Sequence, residues 1–286
     1  MADQKEVQRL QKLAYEMRKK LITLTGYYEG IVHIGGDLSV TDLLIGLYHY
    51  GMKVDPKNIK APERDRFLLS KGHAAVSMYM AMTLRGYFDY DTLLKTYGRL
   101  GSAFGEHPCK IQLPGVECST GSLGQGLAIG VGMAFSARMK KESHRVFCMM
   151  GDGETCEGEV WEAANTAGSY KLGNLIGIVD RNKQMMTSFD GDYMTLEPYA
   201  DRWRSFNWNV IEFDGHDMNA IIDAIDSIPP ITYPKPTVLI AHTIKGKGVG
   251  YMEHQINWHA GSLSKADTEK ALADIEANYA KLGGGK

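Results

Sequence analysis

Val146-Phe147-Cys148-Met149-Met150-Gly151-Asp152-Gly153 is the stretch from which the fold can be predicted, an apolar run that ends in two glycines around an aspartate. An apolar run without polar alternation is typical of a strand that is buried on both faces of a parallel sheet. The glycines let the backbone turn sharply and approach a ligand, and the Asp152 carboxylate is a hard oxygen ligand that suits Mg²⁺ or Ca²⁺. By itself, a Gly-Asp-Gly tripeptide is more often a simple turn. A ligand site therefore needs support from the rest of the chain.

Short apolar runs like this one recur along the chain and alternate with segments of helical periodicity. The runs lie at residues 67–69, 146–150, 175–179, 210–213 and 237–241. Helices are predicted between them, at residues 74–85, 124–140, 158–171 and 218–228. Since parallel strands need crossover connections, which are usually helical and right-handed, this alternation predicts an α/β protein with a doubly wound, mostly parallel sheet flanked by helices.

The two ends of the chain carry further patterns. Apolar residues recur at steps of three and four from Val7 to Leu24, which predicts an amphipathic helix over residues 5–24. Residues 253–286 hold one weak helical pattern and a glycine-rich end, so we expect an extended C-terminal segment there rather than a second domain. The whole chain, residues 1–286, is therefore expected to form a single domain, which its length allows.

Composition and charge argue against several classes of function. With 32 basic and 34 acidic residues the formal net charge is −2, so no overall positive field attracts a nucleic acid. The N-terminal residues form no apolar signal segment, and no later stretch reaches the ~18 consecutive apolar residues that a membrane helix needs. The four cysteines form no CxxC pair and are expected to be reduced thiols. We expect a cytoplasmic protein with neither a nucleic-acid nor a membrane partner.

In a doubly wound sheet, ligands bind outside the carboxyl ends of the strands, where loops lead into helix N-termini. The unusual polar residues of this sequence follow predicted strands, in the segments Ser70–His73, Gly151–Gly153, Asp180–Asn182 and His242–Gly246. Asp152 and Asn182 follow two successive strands, so a carboxylate and an amide oxygen are expected on adjacent loops. This sparse ligand set suits a Mg²⁺ ion that takes its remaining oxygens from a diphosphate.

Gly-Asp-Gly followed by an asparagine at the end of the next strand resembles the fingerprint of thiamine-diphosphate enzymes, and the surrounding motifs resemble transketolase. The motifs that match in the family's order are Asp65–His73, Gly105–Pro108, Leu113–Glu117, Thr120–Gly126 and Lys171–Leu175. The similarity extends from about residue 10 to residue 265, almost the whole chain. It implies the diphosphate-binding domain of the thiamine-diphosphate-binding fold, with thiamine diphosphate and Mg²⁺ as cofactors. Ca²⁺ or Mn²⁺ could replace Mg²⁺.

The resemblance also assigns roles at the cofactor site. It implies three metal ligands, which are Asp152, Asn182 and the main-chain oxygen of Gln184. Apart from histidines, the residues assigned to the cofactor are Gly121, Leu123, Gly153, Glu157, Asn182 and Ile244. In the family's arrangement, the Gly153 amide would donate to the diphosphate. Leu123 and Ile244 would be apolar walls for the cofactor rings. Glu157 would belong to a network that links two active sites.

Four histidines from separate segments match active-site positions of the family, and these are His33, His73, His107 and His259. Imidazole exchanges protons near neutral pH, which suits a reaction in which a ketose hydroxyl loses its proton. By resemblance, His33 and His259 would serve the hydroxyl next to the broken carbon–carbon bond, and His107 the terminal hydroxyl of the donor. His73 and His259 would also reach the diphosphate or the substrate beside it.

The glycine-rich run Lys245-Gly246-Lys247-Gly248 allows two interpretations. It could close over a phosphate, because glycines permit loop motion and lysines supply charge. It could equally be a flexible, solvated loop without a ligand. The sequence alone does not choose between them.

The chain departs from the family pattern in a few residues and in length. Ile34 and Ser122 stand where proline is usual, and Gln184 is more polar than its usual counterpart, which bears on the substrate rather than on the cofactor. A full transketolase is more than twice as long, and its second half supplies the glutamate that activates the cofactor. The resemblance thus implies the N-terminal subunit of a split transketolase, which transfers a ketol unit from a ketose to an aldose. The substrates would be sugar phosphates or modified sugars, and a separate C-terminal subunit would complete an α₂β₂ enzyme.

Three other functions remain open from the sequence. The α subunit of a 2-oxo-acid dehydrogenase shares the Gly-Asp-Gly and asparagine pattern, and an enzyme that makes deoxyxylulose phosphate is a further relative. His107-Pro108 and the run Thr120–Gly126 argue against both. A non-catalytic cofactor-binding or regulatory subunit is the alternative of another class. The presence of Asp152, Asn182 and the four histidines argues against it.

Overall fold

The computed structural model of the protein describes residues 3–283. The strands in this range are β1 Arg66–Leu69, β2 Val146–Gly151, β3 Leu175–Arg181, β4 Asn209–Asp214 and β5 Thr237–His242. The α-helices in the same range are α1 Gln4–Tyr28, α2 Ile34–Ser39, α3 Thr41–Gly46, α4 Ala75–Arg85, α5 Tyr90–Thr96, α6 Gln125–Met139, α7 Gly158–Ser169, α8 Tyr199–Ser205, α9 Met218–Asp226 and α10 Lys265–Lys281. A π-helical turn, Leu47–Gly51, follows α3.

The strands form one parallel sheet in the order β1-β2-β3-β5-β4. Val146 of β2 pairs with Arg66 of β1 on one side and with Leu175 of β3 on the other. Every residue of β3 is buried, because strands flank it on both edges and helices cover both faces of the sheet. The predicted α/β fold with a doubly wound, mostly parallel sheet is confirmed.

The side chains of neighbouring strand residues point to opposite faces of the sheet, because a β-strand is pleated. Phe147 and Met149 belong to the core that α1, α3, α4 and α9 build on one face. Cys148 and Met150 belong to the core that α6, α7 and α8 build on the other. Strand β2 is therefore apolar throughout because both of its sides are buried.

Each predicted strand and each predicted helix has a counterpart in the structure, with ends that shift by a few residues. The predicted helix at residues 5–24 is α1, which runs on to Tyr28. Four helices were not predicted, namely α2, α3, α5 and α8. Each of them has six or seven residues, too few to show a helical period. Two glycines, Gly35 and Gly36, further obscure α2 because glycine disfavours a helix.

The expectation of an extended segment at residues 253–286 is wrong for Lys265–Lys281, which form helix α10. Helix α10 begins at a capping box, in which Ser264 and Asp267 each bond to the other's backbone amide. It packs on α1, where the rings of Tyr15 and Tyr279 stack at 4.1 Å. Only Ala271 and one isoleucine of α10 are buried, which explains why its apolar pattern is weak. Residues 284–286 of the predicted segment lie outside the described residues.

Candidate active site

The carboxyl ends of the strands bring the polar loops to one edge of the sheet, and Asp152 lies there, directly after β2. Its side chain is buried. Its Oδ1 accepts a hydrogen bond from the Gly153 amide at 2.8 Å. Its Oδ2 accepts from Arg181 Nη1 at 3.0 Å and from the Lys183 amide at 2.6 Å. Burial, and after it the nearby Asp180 carboxylate, raises the pKa of Asp152, so a further cation at this carboxylate would be favourable.

Asp180, within β3, connects several of these loops. Its buried carboxylate accepts hydrogen bonds from Lys71 Nζ at 2.6 Å, Ser39 Oγ at 2.7 Å, Asn182 Nδ2 at 2.9 Å and the Thr243 hydroxyl. Burial by itself would raise the pKa of Asp180, but the Lys71 ammonium and these hydrogen bonds hold it below its ordinary value. Asp180 therefore stays ionised and fixes the orientation of Asn182.

Asn182 and Gln184 follow β3 and are linked to each other. Asn182 Oδ1 accepts from the Gln184 amide at 3.0 Å, while the main-chain oxygen of Gln184 accepts from Lys245 Nζ at 3.0 Å. Gln184 is 4% exposed. Neither its Nε2 nor its Oε1 bonds to any residue in the described range 3–283. A buried amide of this kind is costly unless a further polar group satisfies it.

Two buried lysines face the same edge and differ in their partners. Lys71 forms an ion pair with Asp180 at 2.6 Å. Lys245 instead donates to the main-chain oxygens of Gln184 and Met185, at 3.0 and 3.1 Å, and lies 3.0 Å from His259 Nδ1. In residues 3–283, no carboxylate lies within 4 Å of the Lys245 ammonium. Burial, and after it the charge of Lys71, lowers the pKa of Lys245 to about 8.

Three of the predicted histidines form a cluster beside these lysines. The ring centres of His33 and His73 lie 5.1 Å apart, those of His33 and His259 5.4 Å, and those of His73 and His259 5.6 Å. Burial lowers the pKa of His73 to about 2 and that of His259 to about 3, assisted by the nearby lysines. Burial, and after it His107, also lowers the pKa of His33. The three imidazoles are therefore neutral near pH 7, and each has one ring N–H that can donate a hydrogen bond and one ring nitrogen that can accept one.

His107 approaches the cluster from an exposed loop. Gly121 has φ of +157°, and a Cβ at this position would lie 3.0 Å from His107 Cδ2. A Cβ on Gly72, the neighbour of His73, would lie 2.8 Å from the Gly121 amide nitrogen. Glycine at these positions thus allows the loop that carries His107 to lie close to the histidine cluster.

The other residues assigned to the cofactor lie on loops around this cluster. Leu123 is 37% exposed and precedes Gly124, where a Cβ would lie 2.8 Å from Glu157 Cβ. Glu157 itself is exposed at the start of α7. Ile244 is half-buried, and its amide donates to His216 Nε2 at 2.8 Å. The Gly153 amide bonds to Asp152 in this structure.

Sequence reasoning missed two charged residues that hold these loops. Glu154 Oε1 accepts from the Ser70 hydroxyl and from the Gly124 amide at 2.8 Å, and its Oε2 accepts from the Gly151 amide at 3.1 Å. Arg181 binds Asp152 and also reaches Asp190 at 2.5 Å. Their position beside Gly-Asp-Gly and beside Asn182 was a signal, but neither residue belongs to a motif with a known role.

The interpretation of the Lys245–Gly248 run as a solvated loop is wrong for Lys245, which is 4% exposed. Lys247 is half-buried and lies 3.7 Å from Glu253. The two lysines of the run therefore face different surroundings, and only the first belongs to the cluster of histidines and carboxylates.

The edge of the sheet combines oxygen donors, buried ammonium groups and neutral imidazoles. Within residues 3–283, no three His, Cys, Asp or Glu side chains converge as a metal site. The oxygens that are available come from one carboxylate, one amide and one main-chain carbonyl. Such a set is too sparse for a protein-only cage but fits Mg²⁺ that shares a diphosphate. The buried Lys245 ammonium would balance the charge of such an anion.

Comparisons with known proteins agree with this chemistry. The family described as "Transketolase, thiamine diphosphate binding domain" matches residues 25–280. One subunit of the apulose-4-phosphate transketolase of Phocaeicola vulgatus is 40% identical over 97% of this chain and 97% of its own length. A 6-deoxy-6-sulfo-D-fructose transketolase subunit of a Clostridium species is 38% identical over 93% of this chain and 96% of its own. These matches favour transketolase over the dehydrogenase and deoxyxylulose-phosphate alternatives.

Solved structures of whole transketolases share the fold. Transketolase of Campylobacter jejuni superposes with a TM-score of 0.87 at 31% identity over 96% of this chain. Transketolase of Leishmania mexicana superposes with a TM-score of 0.86 at 25% identity. This chain spans 43% and 42% of those two proteins, respectively. The chain therefore belongs to the transketolase family and corresponds to its thiamine diphosphate-binding domain.

Proposed function

We propose that this chain is the thiamine diphosphate- and Mg²⁺-binding N-terminal subunit of a split transketolase, and that its residues 1–286 form a single domain. The proposal rests on the surroundings of the Lys245 side chain. Its buried ammonium has no carboxylate within 4 Å in the described residues, and it connects the Gln184 carbonyl to His259. A buried cation in this position needs an anion, and a diphosphate supplies one.

The residues at the edge of the sheet fit the metal and the diphosphate. Asp152, Asn182 and the Gln184 carbonyl supply hard oxygen ligands of the kind Mg²⁺ prefers. The Gln184 side chain, whose polar atoms are buried without a partner in the described range, gives an additional group that a ligand can satisfy. Gly121 leaves space where a side chain would meet His107. The Gly153 amide would contribute a further donor once it is released from Asp152.

When bound, thiamine diphosphate supplies the carbanion chemistry that a ketose needs for cleavage of its carbon–carbon bond. The protein supplies proton transfer. His33 and His259 are neutral near pH 7 because burial lowers the pKa of both. His33 can thus accept the proton of the hydroxyl next to the cleaved bond and return it in the reverse direction. His259, whose Nδ1 accepts from the Lys245 ammonium, would bond to the same hydroxyl through its Nε2–H. His107, which is exposed at the rim, would bond to the terminal hydroxyl of the donor.

A second polypeptide is part of the proposal. The chain matches relatives named as transketolase subunits along 96–97% of their length, but it spans 42–44% of whole transketolases. The partner would supply the glutamate that activates the cofactor, because no residue after His259 takes that role by resemblance. Two copies of each subunit would give an α₂β₂ enzyme with two sites, since closed two-fold assemblies are the commonest kind.

The substrates are proposed by class. The relatives from Phocaeicola vulgatus and Clostridium are named for apulose 4-phosphate and for 6-deoxy-6-sulfo-D-fructose. The first name describes a phosphorylated sugar, and the second a ketose that carries a sulfo group at carbon 6. We therefore propose a ketose donor, phosphorylated or otherwise modified, and an aldose acceptor.

The test is a coupled assay with a transketolase-like C-terminal subunit. The two purified chains, thiamine diphosphate and Mg²⁺ are mixed with one ketose and one aldose acceptor in turn. Xylulose 5-phosphate is paired with ribose 5-phosphate, because its transfer to glyceraldehyde 3-phosphate would only regenerate both compounds. Apulose 4-phosphate and 6-deoxy-6-sulfofructose are each paired with glyceraldehyde 3-phosphate. Consumption of at least one ketose that requires both chains would support the proposal. Consumption of a 2-oxo acid instead, or binding of no thiamine diphosphate by the mixture, would refute it.

A further inference from the structure

The loop after β5, residues 243–248, is held at both ends by side chains that lie outside the candidate active site. The Ile244 amide donates to His216 Nε2 at 2.8 Å. The main-chain oxygen of Lys247 accepts from Arg18 Nε at 3.3 Å. His216 belongs to the turn between β4 and α9, and Arg18 to α1, so two distant parts of the chain fix one short loop.

Asp42 of α3 joins these two side chains. Its Oδ1 accepts from Arg18 Nη1 at 2.8 Å, and its Oδ2 lies 2.5 Å from Arg18 Nη2 and 2.8 Å from His216 Nδ1. The three side chains are 9–11% exposed. Burial alone would raise the pKa of Asp42, but the Arg18 guanidinium more than offsets it and holds that pKa well below its ordinary value. Asp42 is therefore a carboxylate under all ordinary conditions.

The contacts determine the tautomer of His216. An amide N–H can only donate, so Nε2 of His216 must accept from Ile244 and carries no proton. The ring proton then lies on Nδ1 and is donated to the Asp42 carboxylate. Asp42 thus selects the one neutral form of His216 that can bind the loop.

The loop in turn positions two residues of the candidate site. Ile244 was assigned as an apolar wall for the cofactor, and Lys245 contacts the Gln184 carbonyl and His259. We propose that Arg18, Asp42 and His216 form a positioning triad, which places Ile244 and Lys245 for binding of the cofactor without touching it. The link to the cofactor rests on the proposed function, whereas the link to the loop does not.

Hydrogen–deuterium exchange of the free chain tests the triad with two substitutions of one residue. In His216→Gln, the amide oxygen can reach the place of the lost Nε2 and still accept from Ile244. In His216→Asn, the shorter side chain reaches only the place of Nδ1. We expect the amides of residues 243–248 to exchange about 5- to 10-fold faster in His216→Asn, as the loss of one hydrogen bond predicts, and within about 2-fold of wild type in His216→Gln. His242→Ala is the matched control, because the exposed His242 side chain pairs with Glu212 and hydrogen-bonds to no other residue in the range 3–283.

Three outcomes would overturn the triad. These are unchanged exchange in His216→Asn, equal acceleration in both variants, and acceleration that β3 shares with the loop, since the last would reflect lost global stability. If His216→Asn does not fold, Arg18→Lys takes its place. It removes the contact with Lys247 and should accelerate exchange in the same loop and not in β3.

Titration of the free chain with thiamine diphosphate and Mg²⁺ tests the connection to the cofactor. We expect His216→Asn to weaken binding about 10-fold and His216→Gln about 2-fold, a range usual for groups that orient a ligand-binding residue. Wild-type affinity in His216→Asn despite a loosened loop would overturn the role in cofactor binding. If the wild-type chain binds no cofactor alone or with its partner subunit, the proposed function fails, while the exchange experiment still decides whether the triad holds the loop.

Discussion

Asp152 shows how one side chain can serve both the fold and a ligand. Its carboxylate is buried and already bonds to Arg181 and to two backbone amides. Burial nevertheless raises its pKa, which means that these partners do not fully compensate its lost hydration. A divalent cation at the same carboxylate would complete that compensation. Under the proposed function, the contacts that hold the loops together would also preorganise Asp152 for the metal.

Asp152→Asn should weaken Mg²⁺-dependent binding of thiamine diphosphate by more than about 100-fold, because changes of groups that merely orient a metal ligand already cost 10- to 100-fold. The fold should survive, since an amide can retain part of the hydrogen bonding. Isothermal titration measures the affinity, and thermal unfolding checks the fold. Asp201→Asn is the control, because Asp201 is exposed and its side chain pairs with Arg204 alone among the residues that the structure describes. Unchanged affinity in Asp152→Asn would rule out the metal assignment.

His107→Ala should change the use of the donor and not the binding of the cofactor. His107 is exposed at the rim, whereas His33, His73 and His259 form the inner cluster. We expect kcat/KM of the two-subunit enzyme to fall by roughly 10²-fold for a ketose with a terminal hydroxyl, the usual scale for one catalytic proton or hydrogen-bond partner. An equal loss with a donor that lacks this hydroxyl would contradict the role, as would a matching loss of cofactor affinity.

At the scale of helices and strands, the sequence allowed prediction of elements whose pattern is local. The strands of the described range and its longer helices except α10 were predictable, because continuous apolar runs and helical periods extend over enough residues. Helix α10 buries only two residues, so its helical period is weak. Short helices such as α2 and α8 were not. The same limit applies to the site. Asp152 and Asn182 follow from their strands, but the contact between Ser39 and Asp180 depends on how α2 packs against β3, which no local pattern encodes.

The free energy of unfolding depends on pH through Asp37 of helix α2, a residue with a buried carboxyl group. Its Oδ1 accepts from the Ser77 amide at 3.0 Å, while its Oδ2 is buried and has no partner within residues 3–283. Burial raises the pKa of Asp37 to about 6, against the opposing effect of the bonds from Ser77. Between pH 4 and 6 the unfolded chain releases this proton while the folded chain retains it. The free energy of unfolding therefore falls as the pH rises through that window.

Asp37→Asn removes the contribution of this carboxyl group to the pH dependence of the free energy of unfolding. Between pH 4 and 7, wild type should lose up to roughly 3 kcal/mol more stability than the variant, as a pKa raised by about two units predicts. Urea unfolding at both pH values measures the difference, and other titrating groups cancel because they are common to both proteins. Parallel pH dependence of the two proteins would show that the Asp37 carboxyl is not kept protonated by the fold.

At the scale of the whole molecule, the surface carries large apolar side chains that a partner could cover. Leu100, Ile111 and Tyr193 are 107%, 93% and 88% exposed, respectively. Such residues are common at protein interfaces, although single exposed apolar residues also occur on monomers. None of the helices in residues 3–283 is long and apolar enough to cross a membrane. An interface with a second protein chain, as the proposed function requires, is the explanation we favour for the exposed apolar residues.

The isolated chain carries the oxygen ligands, lysines and histidines of the candidate site, but under the proposed function it lacks the glutamate that activates the cofactor. It should therefore show no ketol transfer by itself with thiamine diphosphate, Mg²⁺ and varied ketoses. Because an obligate interface typically buries more than ~2,000 Å², the free chain should also tend to self-associate, and native mass spectrometry should detect an α₂β₂ complex after its partner is added. Asp152→Asn with the partner is the control, since this mixture should assemble but remain inactive. Robust turnover by the purified chain alone would refute the split-enzyme proposal, because the residues that activate the cofactor would then have to lie within this chain.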